Sequence, residues 1–171
     1  MATTSYEGAA KSILIAAKER NQVALIPIIA KAAFFATSSL LGRAPSLAPV
    51  VLVPVPSMPK NIRMRGYNLV AQMANLVAVQ LRMSIGDVQV LPVLKHARRV
   101  IDQSRLTAQQ RAVNLRGAFT IDENHASVIA HRQVIIIDDL VTTGSTLLEA
   151  RRALSAVGAD VLGAACAMSS R

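Results

Sequence analysis

The run VIIIDDLVTTGST, Val134 to Thr146, constrains the fold of this 171-residue chain more than any other stretch. Four β-branched residues in succession suit a strand buried on both faces, the environment of a parallel sheet. The apolar run ends in Asp138 and Asp139, which sets two carboxylates at the carboxyl edge of the sheet, where open α/β folds bind ligands. Thr142, Thr143, Gly144, Ser145 and Thr146 follow, and LLEARRALSAVGA then has helical spacing. A small hydroxyl-bearing turn feeding a helix start offers unpaired N–H donors and the positive end of the helix dipole, an anion cradle. Acceptors for sugar hydroxyls beside donors for a phosphate describe a sugar-phosphate site. As acids at a strand end, Asp138 and Asp139 are expected to be exposed and to matter little to the core.

The acid pair has other readings on its own. Receiver-type phosphoacceptor domains and Mg²⁺ sites also set two acids after a strand, and Thr-Thr-Gly-Ser also serves as a plain helix cap and turn. The rest of the chain bears on the choice by its pattern of alternating helix and strand signals, which suits one doubly wound α/β domain over residues 1–171. Helices are predicted over Tyr6–Arg20 and Val23–Leu40, the second with Pro27 in its first turn, and over Tyr67–Leu81, where Leu69, Val70, Met73, Leu76, Val77, Gln80 and Leu81 form one stripe. Strands are predicted at Leu47–Val55, at Val88–Leu94 with Pro92 marking an edge or an end, and at Val161–Met168. A short segment near Gly117–Ile121 and a loop through Asn124 and His125 precede the motif strand. Leu147, Ala150, Leu154 and Val157 line one side of the helix after it, and Gly158 stops that helix.

An apolar fraction of 52% is ample for a core, which with only 3% aromatics must be aliphatic. The net charge of +9 fits nucleic acid, an acidic lipid surface or a phosphorylated substrate without choosing among them. The absence of aromatics interleaved with basic residues weakens the nucleic-acid reading. Lone Cys166 excludes an intrachain disulfide and reads as a small core residue. Lys11, Lys18, Glu19 and Arg20 interrupt the first apolar residues, unlike a signal peptide, and Pro27 and Lys31 break the most membrane-like stretch, Val23–Leu41. A cytoplasmic protein without membrane insertion is expected. His96, His125 and His131 sit in unrelated polar contexts and read as surface residues, and no G-x-S-x-G elbow, Walker A or G-x-G-x-x-G run occurs.

The second informative block is VPVPSMPKNIRMRGYN, Val53–Asn68. Strand, prolines, a basic loop and a helix bring Lys60, Arg63 and Arg65 to the edge that carries the acids, provided the two strands are parallel neighbours. A solvated basic turn is the plainer alternative. The third block, RRVIDQSRLTAQQRAVNLRGAF from Arg98 to Phe119, is polar, basic and poorly periodic, and on its own reads as an exposed basic helix or lid.

The motif run as a whole resembles the phosphoribosyl pyrophosphate (PRPP) motif of type I phosphoribosyltransferases. The V-P-V-P and R-x-x-R-G-[FY]-N pattern of the second block, the third block and the amino-terminal SYEGAAKSILIAAK resemble the ComF/GntX branch, so the similarity runs over nearly the whole chain. It implies a type I phosphoribosyltransferase fold, a mainly parallel central sheet flanked by helices. It also implies a small hood in residues 1–46 and a mobile basic loop in residues 95–116. Asp138 and Asp139 would hold the ribose 2′ and 3′ hydroxyls and contribute to any Mg²⁺ site, the ion arriving mainly with PRPP. Val141, Thr142, Thr143, Gly144, Ser145 and Thr146 would hold the 5′-phosphate. Lys60, Arg63, Arg65 and Gly66 would face the pyrophosphate, and Arg98, Arg99, Gln103, Arg105, Arg111 and Asn114 match the polar positions of the mobile loop.

The implied reaction is transfer of a phosphoribosyl group to an unidentified nitrogen acceptor with release of pyrophosphate. A catalytically silent PRPP-binding regulator, set in this family beside DNA uptake and a helicase-like partner, is the second reading. A basic protein that binds nucleic acid on the same fold is the third, and an oligomer is compatible with each. Family members commonly begin with a small Cys-x-x-Cys zinc module, and this sequence has no such pair. The acceptor is not named by the sequence, since the candidate hood offers no stacking aromatic beyond Tyr6, Phe34, Phe35 and Tyr67.

Overall fold

The computed structural model describes residues 1–43, 49–97 and 115–170. Strands β1 (Ala2–Ser5), β2 (Val50–Pro54), β3 (Val88–Val90), β6 (Gln133–Val141) and β7 (Asp160–Ser169) form a sheet in the order β1-β7-β6-β2-β3. Every neighbouring pair in it is parallel. The remaining strands, β4 (Leu94–His96) and β5 (Phe119–Ile121), make a separate antiparallel pair. Helices α1 (Gly8–Glu19), α2 (Ile26–Leu41), α3 (Pro59–Arg65), α4 (Leu69–Ile85), α5 (Glu123–Ile129) and α6 (Ser145–Ala156) connect them, with a 3₁₀ turn at Val23–Leu25.

Strand alternation divides the interior into two cores. Val50, Leu52, Ile135 and Ile137 face a layer built from α1, α2 and α4 through residues such as Leu14, Ile29, Ala33, Met73 and Val77. Val51, Val53, Val134 and Ile136 face the other side, where Ala150, Ala153 and Leu154 of α6 meet Leu94, Phe119 and Ile129. A strand covered on both faces needs apolar residues at odd and even positions alike, which accounts for the unbroken runs in β2 and β6. Small side chains in α2, notably Ala30, Ala33 and Ala36, allow this helix to lie close on the sheet. At Gly163 of β7 an added Cβ would sit 3.2 Å from a methyl carbon of Leu40.

The segment Val23–Leu41 is long and apolar enough to cross a membrane by length and composition. Within this fold Ile29, Ala30, Ala33, Ala36 and Thr37 are buried, and the Thr37 hydroxyl donates to the Ala33 carbonyl at 2.7 Å. Pro27 stands in the first turn, where its missing N–H costs no hydrogen bond.

Several local expectations are corrected. The predicted strand Val88–Leu94 is divided between the edge strand β3 and strand β4 of the small sheet, with Pro92 between them. Asn124 and His125 lie in α5, which Asp122 caps by accepting from the His125 N–H at 3.0 Å, an unread N-cap signal. The basic loop after β2 is itself helical (α3), and Gly66 at φ 77° ends it in the left-handed region that a side chain disfavours. Strand β1, for which the sequence carries no apolar run, pairs with the end of β7.

The helical stripe read in α6 holds, with one addition: Glu149 beside it is buried. Its carboxylate accepts from Arg152 through two bonds of 2.8 Å and from the Phe119 N–H at 3.3 Å, while Arg152 donates to the Phe119 carbonyl at 3.0 Å. Burial opposes the charge of Glu149, but Arg152 and the backbone of Phe119 and Gly117 hold its carboxyl below the ordinary glutamate range. This cluster pins β5, and so the base of the β4–β5 connection, to α6. Glu149→Ala leaves the buried Phe119 N–H without its acceptor and the Arg152 guanidinium with only the Phe119 carbonyl. It is expected to cost about 2 kcal/mol and to lower the Tm by roughly 4–8 °C in thermal denaturation followed by circular dichroism.

Candidate functional site

After β2 the chain crosses to β3 on one side, and after β6 it crosses to β7 on the other, so the order of connection reverses between β2 and β6. The two strands are parallel neighbours, with Val53 opposite Ile136 and Pro54 opposite Ile137. Their carboxyl ends therefore open a crevice at a topological switch point. The first loop, with α3, leaves from one wall, and the acid pair and glycine turn leave from the other.

The acids lie within the strand, which runs on to Val141 with Asp138 opposite Cys166 and Leu140 opposite Met168. Their expected exposure is corrected: Asp139 is only 6% exposed and Asp138 is half-buried. The alternation that sends Ile135 and Ile137 toward α1 sends Asp139 there too, and Lys18 of α1 donates to its Oδ1 at 2.7 Å. Burial works against the charge of Lys18, yet Asp139 and Asp138 keep its ammonium above the ordinary lysine value. The Asp139 N–H donates to Oδ1 of Asp138 at 2.9 Å. Burial first, and then the charge of Asp139, push the Asp138 carboxyl up to about 7, with Lys18 drawing it partly back. Cys166, fully buried beside Asp138, has its thiol pushed up by burial and by that charge, as suits an inert core residue.

The turn after β6 has Gly144 at φ 80°, the left-handed conformation that glycine adopts without steric cost. Thr143 Oγ1 lies 3.0 Å from Ser145 Oγ, and α6 starts at Ser145 with the Leu148 N–H bonded to the Gly144 carbonyl at 3.0 Å. Two clefts flank α6. One, of about 430 Å³, runs from Gly144 along Leu148 and Arg151 to β7, and a smaller one is lined by Arg116, Ser145, Glu149 and Arg152.

On the other wall, Asn68 caps α4 by accepting from the Ala71 N–H at 3.2 Å and from the Ser57 hydroxyl at 3.1 Å, which ties the start of the first loop to its end. Lys60 and Arg63 lie on the exposed side of α3. Arg65 turns inward: its side chain is 10% exposed, Nη2 is 3.6 Å from Glu19, and its buried Nε has no hydrogen-bond partner among the described residues. A guanidinium N–H left in that state is suited to an incoming anion. Arg98, Arg99, Gln103, Arg105, Arg111 and Asn114 lie outside the described residues.

His96 differs from the surface residue expected. It packs edge-on against Phe119 at 5.4 Å with both ring nitrogens buried, and burial lowers its pKa. Lys18 is a site residue that none of the sequence motifs marks, although it stands one turn after buried Leu14 on the apolar stripe of α1. Tyr67 has a structural role: its hydroxyl donates to the Ala17 carbonyl, so this ring is not free to stack on a base.

Residues 62–171, well over half the chain, match the phosphoribosyl transferase domain family, and the chain belongs to it. The protein is phosphoribosyltransferase-like, with the ComF-type affinity its motifs display. It is 30% identical over 112 residues to Competence protein F of Haemophilus influenzae, covering 66% of this chain and 47% of that protein. It is also 30% identical over 120 residues to an adenine phosphoribosyltransferase of Rhodospirillum rubrum, covering 70% of this chain and 63% of that enzyme. The chain thus spans about half of the first relative and less than two thirds of the second.

The raised Asp138 carboxyl has a consequence for stability. Its value in the folded chain lies above the ordinary 3.8, so its contribution is fully present below about pH 4 and is lost as pH rises toward 7. Asp138→Asn keeps an oxygen for the Asp139 N–H and removes the titration. Relative to wild type its Tm is expected to be higher by roughly 3–6 °C at pH 8, with the gain vanishing near pH 4, as read by thermal melts across that range.

Proposed function

We propose that the protein binds PRPP with Mg²⁺ at the β2–β6 crevice and transfers its phosphoribosyl group to a nitrogen nucleophile, releasing pyrophosphate. The observation that carries this reading is the meeting, at one switch point, of a strand-borne acid pair, a glycine turn opening a helix, and the inward guanidinium of Arg65. Asp138 and Asp139 accept from the ribose 2′ and 3′ hydroxyls. The N–H groups and hydroxyls of Val141 to Thr146 take the 5′-phosphate, and Arg65 and Gly66, with Lys60 and Arg63 nearer solvent, face the pyrophosphate.

In the reaction a nitrogen lone pair of the acceptor forms a bond to C1 of the ribose while the C1–O bond to pyrophosphate breaks with its electron pair. The acceptor's proton leaves to solvent. Positive charge on the sugar ring and negative charge on the leaving group grow together, so the protein's part is positioning and electrostatics. The two acids fix the sugar and lie near the developing cation. Arg65 lies near the developing anion.

The donors present fit a metal carried by substrate. No group of three or more His, Cys, Asp or Glu side chains gathers among the described residues, so Asp138 and Asp139 would supplement oxygens of the pyrophosphate and water around Mg²⁺. Bound there, the ion would neutralise charge on the leaving group. A cytoplasmic setting is part of the same proposal.

A second reading rests on the match to Competence protein F: the site binds PRPP without turnover and reports it to a DNA-uptake apparatus. Calorimetry with PRPP and Mg²⁺, followed by pyrophosphate release across a panel of purine, pyrimidine and amine acceptors, separates the two. Binding with release for one acceptor supports the transferase, binding without release for any supports the regulator, and no binding overturns both. Gly144→Ala, which forces a side chain into the left-handed region at a cost of about 1 kcal/mol and disturbs the cradle, is expected to weaken PRPP about tenfold in the same titration.

A further inference from the structure

The last turn of α1 touches both walls of the crevice through three consecutive residues. The Ala17 carbonyl accepts from the Tyr67 hydroxyl at the end of the first loop, Lys18 pairs with Asp139 at 2.7 Å, and Glu19 lies 3.6 Å from Arg65. Lys18 is the residue that reaches the acids. Its ammonium bonds Oδ1 of Asp139, and Oδ1 of Asp138 accepts the Asp139 N–H, so the bonds drawn from the protein fall on the same oxygen of each acid. A carboxylate accommodates about four acceptor contacts, so both keep capacity for a ligand. With 8% of its side chain exposed, Asp139 has little water to orient it, and the Lys18 bond is what fixes its rotation.

We propose that Lys18 is a positioning residue for sugar recognition: by holding Oδ1 of Asp139 it aims Oδ2 at one hydroxyl of the pentose diol and makes that hydroxyl count in binding. This rests on the sugar-phosphate reading of the crevice. A lysine serving only to neutralise charge or to hold α1 in place would affect every phosphorylated pentose alike. A lysine that aims Asp139 affects only sugars that carry the hydroxyl Asp139 accepts from, so its removal and the removal of that hydroxyl are not additive.

The test is calorimetric titration of the full chain with ribose 5-phosphate, 2-deoxyribose 5-phosphate and 3-deoxyribose 5-phosphate, in wild type, Lys18→Met and Lys11→Met. Lys11 is an exposed cation on the same helix, near the Tyr6 ring, and controls for the loss of one positive charge. Lys18→Met is expected to weaken ribose 5-phosphate about tenfold, the scale of one charge-assisted hydrogen bond, and to leave one of the two deoxy sugars within about twofold of its wild-type affinity. Lys11→Met is expected to shift all three sugars equally and by about twofold or less. Equal losses for all three sugars in Lys18→Met, or no loss at all, overturn the proposal while leaving the crevice a PRPP site. Failure of wild type to bind any of the sugars or PRPP with Mg²⁺ overturns the functional reading and this inference with it. Should Lys18→Met not fold, Lys18→Gln, with a polar end of shorter reach, is read in the same comparison against the same two outcomes.

Discussion

The parallel pairing of β2 with β6 is the constraint on which the rest of the structure depends. Two strands whose crossovers leave in opposite directions cannot be covered by one helix at their carboxyl ends, and among the described residues the gap that results is where the two following loops meet. Pairing is enforced from both faces. Val50 and Leu52 with Ile135 and Ile137 seal one core, and Val51 and Val53 with Val134 and Ile136 seal the other, so a slip of one residue would exchange the cores and bring the acids into a different register.

The acids show how the same scaffold tunes charge. Two neighbouring carboxylates at a partly dry strand end repel each other, and here the conflict is divided between them. Asp139 takes a cation from α1, whereas Asp138 has only the Asp139 N–H as its donor among the described bonds and holds its proton to about pH 7. That arrangement costs stability, as ligand-binding charge commonly does. The cost is met by the aliphatic cores beneath and by the Glu149–Arg152 cluster that ties α6 to β5.

Much of the fold was legible because its largest signals are local. The β-branched run of β6, the stripes of α4 and α6 and the prolines after β2 each reflect a repeat or a break that the backbone imposes. What escaped has a tertiary origin. Strand β1, polar and only four residues long, exists because the end of β7 offers an unpaired edge, and the division of Val88–Leu94 depends on which neighbour each half finds. At the candidate site the co-location of the acid pair with the first loop followed from reading two strand–loop–helix units as parallel neighbours. The burial of Asp139 did not follow, because its partner Lys18 lies 121 residues away in sequence and its pairing is visible only in three dimensions. Glu149 was hidden for the same reason, since one donor to its carboxylate, the Phe119 N–H, lies on β5.

The central claim is that one crevice grips a phosphorylated pentose by its diol and its phosphate together. A crystal structure with ribose 5-phosphate bound tests it most directly. The expected result is the phosphate on the N–H groups of residues 142–146 and the two ring hydroxyls within hydrogen-bond distance of Asp138 and Asp139. A sugar seated elsewhere, or a phosphate on that turn with the diol turned away from both acids, would contradict it.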